Sequence, residues 1–173
     1  TGRLPVTFPR SANQLPDYED YSMEGRTYRY MEKEPLYPFG FGLSYTRCSY
    51  SDLQLYKEEI TKGDILEATI RITNKGDRAT EETLQLYLTD EEASFRVPKY
   101  SLKGIKRVAL QPGETKQVHF TIDQQMMEVI DMAGNAVIEP GQYRVTIGAS
   151  SPGRRSLELG APEPAVATFR VVE

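Results

Sequence analysis

The stretch DILEATIRITNKGDRATEETLQLYLTD, residues 64–90, decides the fold class of this chain. Its first half has the period of two that is typical of a β-strand, and a turn at Lys75-Gly76 ends it. The residues that we place in this strand are Ile65, Ala68, Ile70 and Ile72. The second half alternates more strictly, with Leu84, Leu86 and Leu88 on one face and Thr83, Gln85 and Tyr87 on the other. The stretch therefore predicts two strands joined by a short polar loop.

The same period continues along the rest of the chain. Residues 102–122 predict a hairpin that reverses at the Pro112-Gly113 pair. The first strand of the hairpin contains Ile105, Val108 and Leu110, and the second contains Val118, Phe120 and Ile122. After it come a short hairpin at Gly134-Asn135, a strand with Tyr143, Val145 and Ile147, and a last strand over 165–173. Six to eight such strands predict a mainly β chain, an antiparallel β-sandwich of the fibronectin III or immunoglobulin-like class, and the lack of a cysteine pair and of tryptophan favours the fibronectin form.

The first 46 residues are different in kind and read as an extended, aromatic-rich strap. Eight of the eleven tyrosines and three of the six phenylalanines precede residue 57, and the densest aromatic run is EPLYPFGFGLSYT, residues 34–46. We expect one strand over 4–9 and one strand pair formed by 27–31 and 43–50. Thirty-odd residues without regular structure are uncommon inside a compact domain, so we expect residues 10–33 to lack order of their own or to be held by a neighbouring chain.

Composition excludes several classes of function. The net charge is -4, with 21 basic and 25 acidic residues intermixed, so we predict no nucleic-acid partner, and the lack of a long apolar run predicts no membrane partner. A single histidine, His119, and a single cysteine, Cys48, predict no metal site and no cofactor. We interpret His119 as a solvent-facing strand residue and Cys48 as a small apolar filler. The chain opens at Thr1 without a methionine, so we expect it to be a piece of a longer protein.

Four motifs, in this order, resemble the C-terminal region of glycoside hydrolase family 3, which includes β-glucosidases and β-xylosidases. They are GRLPVTFP (2–9), GRTYRY (25–30), PLYPFGFGLSYT (35–46) and the block from ITNKGDR (72–78) to LQLYL (84–88). The resemblance implies a barrel and an α/β sandwich domain upstream. Residues 1–46 would then be the end of that α/β domain and a connecting strap, and residues 47–173 a fibronectin type III-like domain.

The resemblance also implies what the chain does. The catalytic aspartate nucleophile and the acid/base of the family's retaining β-glycosidases lie before this sequence begins, so no catalytic residue is expected here. The chain would be a non-catalytic part of an enzyme that removes β-linked sugars from the non-reducing end, and would stabilise or position the catalytic domains, its partners. The alternative is a carbohydrate- or surface-binding accessory module, against which the lack of tryptophan counts.

Two sets of strap residues are candidates for function. The aromatic residues that we expect to dock the strap on the upstream domains are Tyr28, Tyr30, Tyr37, Phe39, Phe41 and Tyr45. Asp17, Tyr18 and Tyr21 are candidates for the rim of the parent's active site, although a solvated linker explains them more simply. The acidic run Asp90–Glu92 could resemble a calcium loop, but its spacing favours an inter-strand turn. Exposed strap aromatics also make self-association possible.

Overall fold

The computed structural model describes residues 2–173 and consists of two β-sheets packed face to face. The strands are β1 (Cys48–Leu55), β2 (Glu59–Thr61), β3 (Leu66–Asn74), β4 (Thr80–Asp90), β5 (Ser101–Leu110), β6 (Thr115–Ile122), β7 (Val129–Ile130), β8 (Ala136–Val137), β9 (Gly141–Gly148) and β10 (Ala165–Val172). The helices are α1 (Thr27–Tyr30), α2 (Gln124–Met127) and α3 (Arg154–Glu158), and a 3-10 turn covers Ala12–Gln14. None of the helices described is long and apolar enough to cross a membrane.

One sheet has three strands in the order β1-β3-β6, and the other has five in the order β2-β10-β9-β4-β5. Neighbouring strands are antiparallel except for β2 and β10, which run parallel. The strands β7 and β8 form a separate short ladder closed by the predicted turn at Gly134-Asn135. The predicted β-sandwich is thereby confirmed.

The core lies between the two sheets and is built from alternate residues of each strand. In the three-stranded sheet, Ala68 pairs with Phe120 and Ile70 pairs with Val118, and all four side chains are buried. The leucines of β4 and Tyr143, Val145 and Ile147 of β9 close the core from the five-stranded sheet. Cys48 is buried at the start of β1 as a free thiol, and burial raises its pKa to about 11. His119 is exposed, as its place in the alternation predicts.

Two of the apolar residues that we placed in strands are exposed. Ile65 is 56% exposed because β3 begins one residue later, at Leu66, and the core-facing residues of β3 have even numbers. Ile105 is 58% exposed because it has the opposite parity from Val108 and Leu110 and lies on the outer face of the edge strand β5. In both cases the apolar residue lies next to the core-facing set of residues and does not belong to it.

Residues 2–46, which we call the front segment, lie against the sandwich. The stretch 2–8 runs alongside 36–42: the Leu4 amide donates to the Phe41 carbonyl (2.9 Å), and the Phe8 amide donates to the Tyr37 carbonyl (3.0 Å). The expected strand at 4–9 is therefore reduced to a single bridge, Phe8 with Tyr37. Because its partner is this irregular aromatic run, a regular ladder does not form there.

The expected strand at 27–31 is wrong, because these residues form α1. A helical turn places residues three apart on one side, so Tyr28 and Met31 both face the sandwich. In a strand, Tyr28 would instead share a face with Tyr30. The expectation that residues 10–33 lack order of their own or are held by a neighbouring chain is also wrong for this part. The Lys99 amide donates to the Arg29 carbonyl (2.9 Å), and Arg96 forms an ion pair with Glu24 (2.9 Å).

Candidate docking surface

An aromatic cluster joins the front segment to the outer face of the five-stranded sheet. Tyr28 stacks on Phe39 with ring centroids 4.3 Å apart, lies nearly parallel to Tyr100 at 5.9 Å, and meets Tyr87 edge-to-face at 6.1 Å. Its hydroxyl oxygen accepts a hydrogen bond from the Leu102 amide (3.1 Å). Burial raises the pKa of Tyr87 and of Tyr100, so both phenols stay neutral. The cluster therefore fixes α1 on the sheet through neutral, close-packed rings.

The buried amide of Gln85 links the same two bodies by hydrogen bonds. Its Nε2 donates to the carbonyl oxygens of Gly40 (3.0 Å) and Ala149 (2.7 Å), and its Oε1 accepts from the Tyr87 hydroxyl (2.6 Å). Gly40 has a φ of 75°, and a methyl group there would overlap with the Gln85 side chain. Gly40 thus supplies both the left-handed turn and the close approach that this contact requires.

A buried ion pair fastens the beginning of the front segment. The guanidinium of Arg3 contacts the carboxylate of Glu82 and also donates to the Gly42 carbonyl (2.8 Å). The Glu82 side chain is 3% exposed, and the Tyr50 hydroxyl donates to it at 3.3 Å. A carboxylate so far removed from water needs such partners, so residue 3 is held by charge as well as by packing.

The junction between the front segment and β1 is held by Asn74. Its Oδ1 accepts from the Thr46 hydroxyl (2.7 Å) and from the Gly76 amide (3.1 Å), while its Nδ2 donates to the carbonyl oxygens of Arg78 and Gln111. Asn74 is fully buried, and all four bonds reach loop or junction groups. The side chain therefore ties three connections at one end of the sandwich.

The six aromatic docking candidates do not share one environment. Tyr28, Phe39 and Phe41 are used inside the chain, the last buried with its ring parallel to that of Tyr37 at 6.4 Å. Tyr30 lies under the Arg96 guanidinium, 5.8 Å from it, and Tyr37 is part-exposed beside Phe8. Tyr45 is almost fully exposed. These placements leave Tyr37 and Tyr45 as the candidates that present rings to an outside partner.

An apolar groove of 580 Å³ opens on the front segment. The apolar and aromatic side chains along it are Pro5, Val6, Pro9, Leu15, Met23, Tyr28, Met31 and Phe39. Val6, Leu15 and Met23 are each about half exposed, and Phe8, Leu36 and Tyr37 are exposed elsewhere on the segment. Contiguous exposed apolar surface of this kind is typical of a protein–protein contact.

The acidic candidates form no cluster. Asp17, Tyr18 and Tyr21 are exposed on the front segment, and the Asp17 carbonyl accepts from the Arg26 guanidinium (2.7 Å). Of the acidic run, Glu91 pairs with Arg144 and Glu92 with Arg170 (3.1 Å), as expected of a turn between strands. Across residues 2–173 there is no group of three metal-ligating side chains.

Comparison with known proteins explains this arrangement. The model of the fibronectin type III-like domain matches residues 82–151. The chain carries a fibronectin type III-like domain. The sequence is 41% identical over 155 residues to a putative beta-xylosidase of Formosa agariphila, and the match covers 87% of this chain and 20% of that protein. It is 37% identical over 163 residues to a periplasmic beta-glucosidase of Salmonella typhimurium, covering 87% of this chain and 21% of that protein.

Solved structures agree with the sequence comparisons. A β-glucosidase from Erythrobacter marinus superposes with a TM-score of 0.79 at 33% identity, covering 99% of this chain and 22% of that one. The chain thus spans about one fifth of the length of the relatives that it matches. The resemblance to the C-terminal region of family 3 glycoside hydrolases is confirmed.

Several residues that hold the front segment on the fibronectin type III-like domain were missed from the sequence. Gln85 and Tyr87 were placed on the outer face of β4 without a partner, and Arg3, Glu82 and Tyr100 were not singled out. One signal was available. In LQLYL a tyrosine stands at an outward position where an uncovered face would carry a polar residue, which indicates that this face is covered. The structure agrees, since every residue of LQLYL is buried.

Proposed function

We propose that this chain is a non-catalytic, C-terminal part of a larger β-glycosidase and that its front segment docks on the catalytic domains that precede it. The observation that carries the proposal is the exposed apolar groove on the front segment, in a chain that spans one fifth of the length of its relatives. Those relatives are described as β-xylosidases and β-glucosidases, so the parent's proposed reaction is hydrolysis of a β-glycosidic bond. The role proposed for this chain is to stabilise and position the domains that carry it out.

The contacts of the front segment support a positioning role. It is attached to the sandwich by the rings around Tyr28, by the Gln85 amide and by the Arg3–Glu82 ion pair. A catalytic domain that binds the exposed side of the front segment would therefore be held in a fixed position relative to the sandwich. In this proposal residues 1–46 are the end of the upstream α/β domain and the connecting strap, and residues 47–173 are the fibronectin type III-like domain.

The test compares two aspartate substitutions in the full-length parent and in the 173-residue chain. Leu15 lies in the groove and is 50% exposed, whereas Val166 lies on β10, away from the groove, and is 53% exposed. Covering a leucine side chain is worth about 1.5–3 kcal/mol, so Leu15→Asp should destabilise the parent by roughly half of that or more. Both substitutions should leave the melting temperature of the 173-residue chain nearly unchanged.

The matched control decides between docking and a general surface effect. Val166→Asp should leave the parent's melting temperature and activity as they are. If Leu15→Asp and Val166→Asp affect the parent equally, the groove is not covered there and the docking proposal fails.

We propose a second role for the exposed rings at positions 18 and 21. Tyr18 and Tyr21 have no ring contacts within the described chain, and they flank the carboxylates of Glu19 and Asp20. Rings and carboxylates together suit contact with a sugar at the rim of the parent's active site. In the parent, Tyr18→Ala and Tyr21→Ala should raise KM while the melting temperature stays the same. An unchanged KM would remove this role.

A further inference from the structure

The outer face of the three-stranded sheet carries a polar cleft that the docking function does not use. The cleft has a volume of 220 Å³ and is lined by Asp52, Gln54, Thr69, Arg71 and Gln117. Its residues come from β1, β3 and β6, the three strands of one sheet. It therefore lies on the opposite side of the sandwich from the front segment.

The cleft is shaped by an irregularity in β1. The register of β1 against β3 shifts between Ser51 and Gln54, which is a β-bulge, and Asp52 within it has a φ of 52°. Bulges redirect side chains and are frequent beside functional sites. Here the bulge brings the Asp52 carboxylate to the Arg71 guanidinium (3.2 Å), which closes one end of the cleft.

The cleft presents hydrogen-bonding groups that the described part of the protein leaves unsatisfied. The side-chain amides of Gln54 and Gln117 are exposed and have no hydrogen-bond partner among residues 2–173. Thr69 is 2% exposed at the floor, and its hydroxyl also has no protein partner there. Two amides supply four N–H donors and two acceptor oxygens, and the hydroxyl adds one of each.

We propose that this cleft binds a pyranose ring of a neutral β-linked oligosaccharide. The paired charges of Asp52 and Arg71 cancel, so the cleft has no preference for a charged ligand. Amide, carboxylate and guanidinium groups each form two hydrogen bonds in one plane, which matches neighbouring hydroxyl groups on a sugar. The lining is almost entirely polar, which disfavours an apolar peptide, and the volume is below the roughly 300–1,000 Å³ of a drug-sized pocket.

The position of the cleft gives the binding a purpose. A partner in the apolar groove would lie on the side of the front segment, so it would leave the three-stranded side open to solvent. A sugar bound there would hold the protein on a polysaccharide without blocking the docking surface. The proposal does not rest on docking, since the cleft is complete within this chain.

The test is a titration of the isotope-labelled 173-residue chain with xylohexaose and, separately, cellohexaose, followed by amide chemical shifts. We expect saturable chemical-shift changes at residues 52–54, 69–71 and 117 with either sugar. The sugar that binds more tightly identifies the class of polysaccharide that the cleft recognises. Gln54→Ala/Gln117→Ala should weaken binding about tenfold, because two bonding amides are lost. Gln54→Ala alone should weaken sugar binding by less, because it removes only one of the two amides.

The matched control is Gln125→Ala, an exposed glutamine on α2 outside the cleft. Its affinity for the sugar should equal that of the unmodified chain, and all variants should show the same melting temperature. The proposal is overturned if neither sugar produces saturable shifts at millimolar concentration, if the shifts map to the front segment, or if the Gln54 and Gln125 variants bind alike.

Discussion

Substitution of Gln85 by alanine measures how strongly the front segment is attached to the sandwich. The buried Gln85 amide makes three hydrogen bonds, to Gly40, Ala149 and Tyr87, and each is within 3.0 Å. A buried hydrogen bond contributes about 0.5–1.5 kcal/mol, and a partner left buried without one costs about 1–3 kcal/mol. We therefore expect Gln85→Ala to lower the free energy of unfolding by about 2–4 kcal/mol. In a domain of this size that is a fall in melting temperature of about 4–16 °C.

Urea unfolding followed by circular dichroism gives the free energy, and hydrogen exchange shows where the structure loosens. The Ser151 amide donates to the Phe39 carbonyl (2.9 Å), so its protection reports on attachment of the front segment. In Gln85→Ala this amide should exchange faster by more than amides of the β3–β6 ladder. The reference is Gln125→Ala on the exposed side of α2, which should change the free energy by less than 0.5 kcal/mol in either direction, about the limit for a surface substitution.

A double-mutant cycle separates the amide's bonds from its packing. Tyr87→Phe removes the hydroxyl that donates to Gln85 and leaves the ring in its cluster. Because both substitutions remove the same bond, their effects should add to more than the double variant loses, with a coupling of about 1 kcal/mol. A Gln85→Ala effect as small as that of Gln125→Ala would refute the view that this amide fastens the front segment, and strict additivity with Tyr87→Phe would refute the coupling between the Gln85 amide and the Tyr87 hydroxyl.

Two further perturbations test other parts of the structure. Arg3→Met leaves the buried Glu82 carboxylate without its cation, so the free energy of unfolding measured in urea should fall by about 3–5 kcal/mol. The control is Arg107→Met in an exposed ion pair, which should lower it by at most about 1 kcal/mol. Equal losses would contradict the burial of the Arg3–Glu82 pair. The pKa of the Cys48 thiol is raised to about 11 by burial, so the unfolded chain loses its thiol proton first. The stability due to this thiol is therefore complete below the pKa of the unfolded chain, near 9, and falls as the pH rises to 11. Between pH 8 and 11 the free energy of unfolding should fall more steeply for the unmodified chain than for Cys48→Ala. Parallel curves for the two proteins would contradict this.

The strands of the sandwich could be predicted because one side of each faces the core. In β6 the buried residues alternate from Val118 onward, and in β3 the buried Thr69 is the one break in the alternation, so a period of two is enough to find both strands. Ile65 and Ile105 show the limit of the method. Each is an apolar residue next to an apolar face, and only the position where the strand begins or the register of its partner shows that it points outward.

The contacts of the front segment could not be predicted, because they join residues far apart in the sequence. Tyr28 was recognised as an anchor, but local pattern does not pair it with the ring of Tyr87 on β4 or with the ring of Tyr100, which lies just before β5. The helical turn at α1 depends on the same contacts. A four-residue helix is too short to be stable alone, so the surface that it packs on determines its conformation.

The two outer faces of the sandwich differ in a way that bears on where the folding unit begins. The outer face of the five-stranded sheet carries Gln85 and Tyr87, both buried, and the front segment covers them. A sandwich that began at Arg47 would expose these side chains and leave an aromatic patch open, which favours association with other molecules. The three-stranded face needs no such cover, because its outward residues are polar. Composition divides the chain near residue 46, but the stability of residues 47–173 depends on the residues before them.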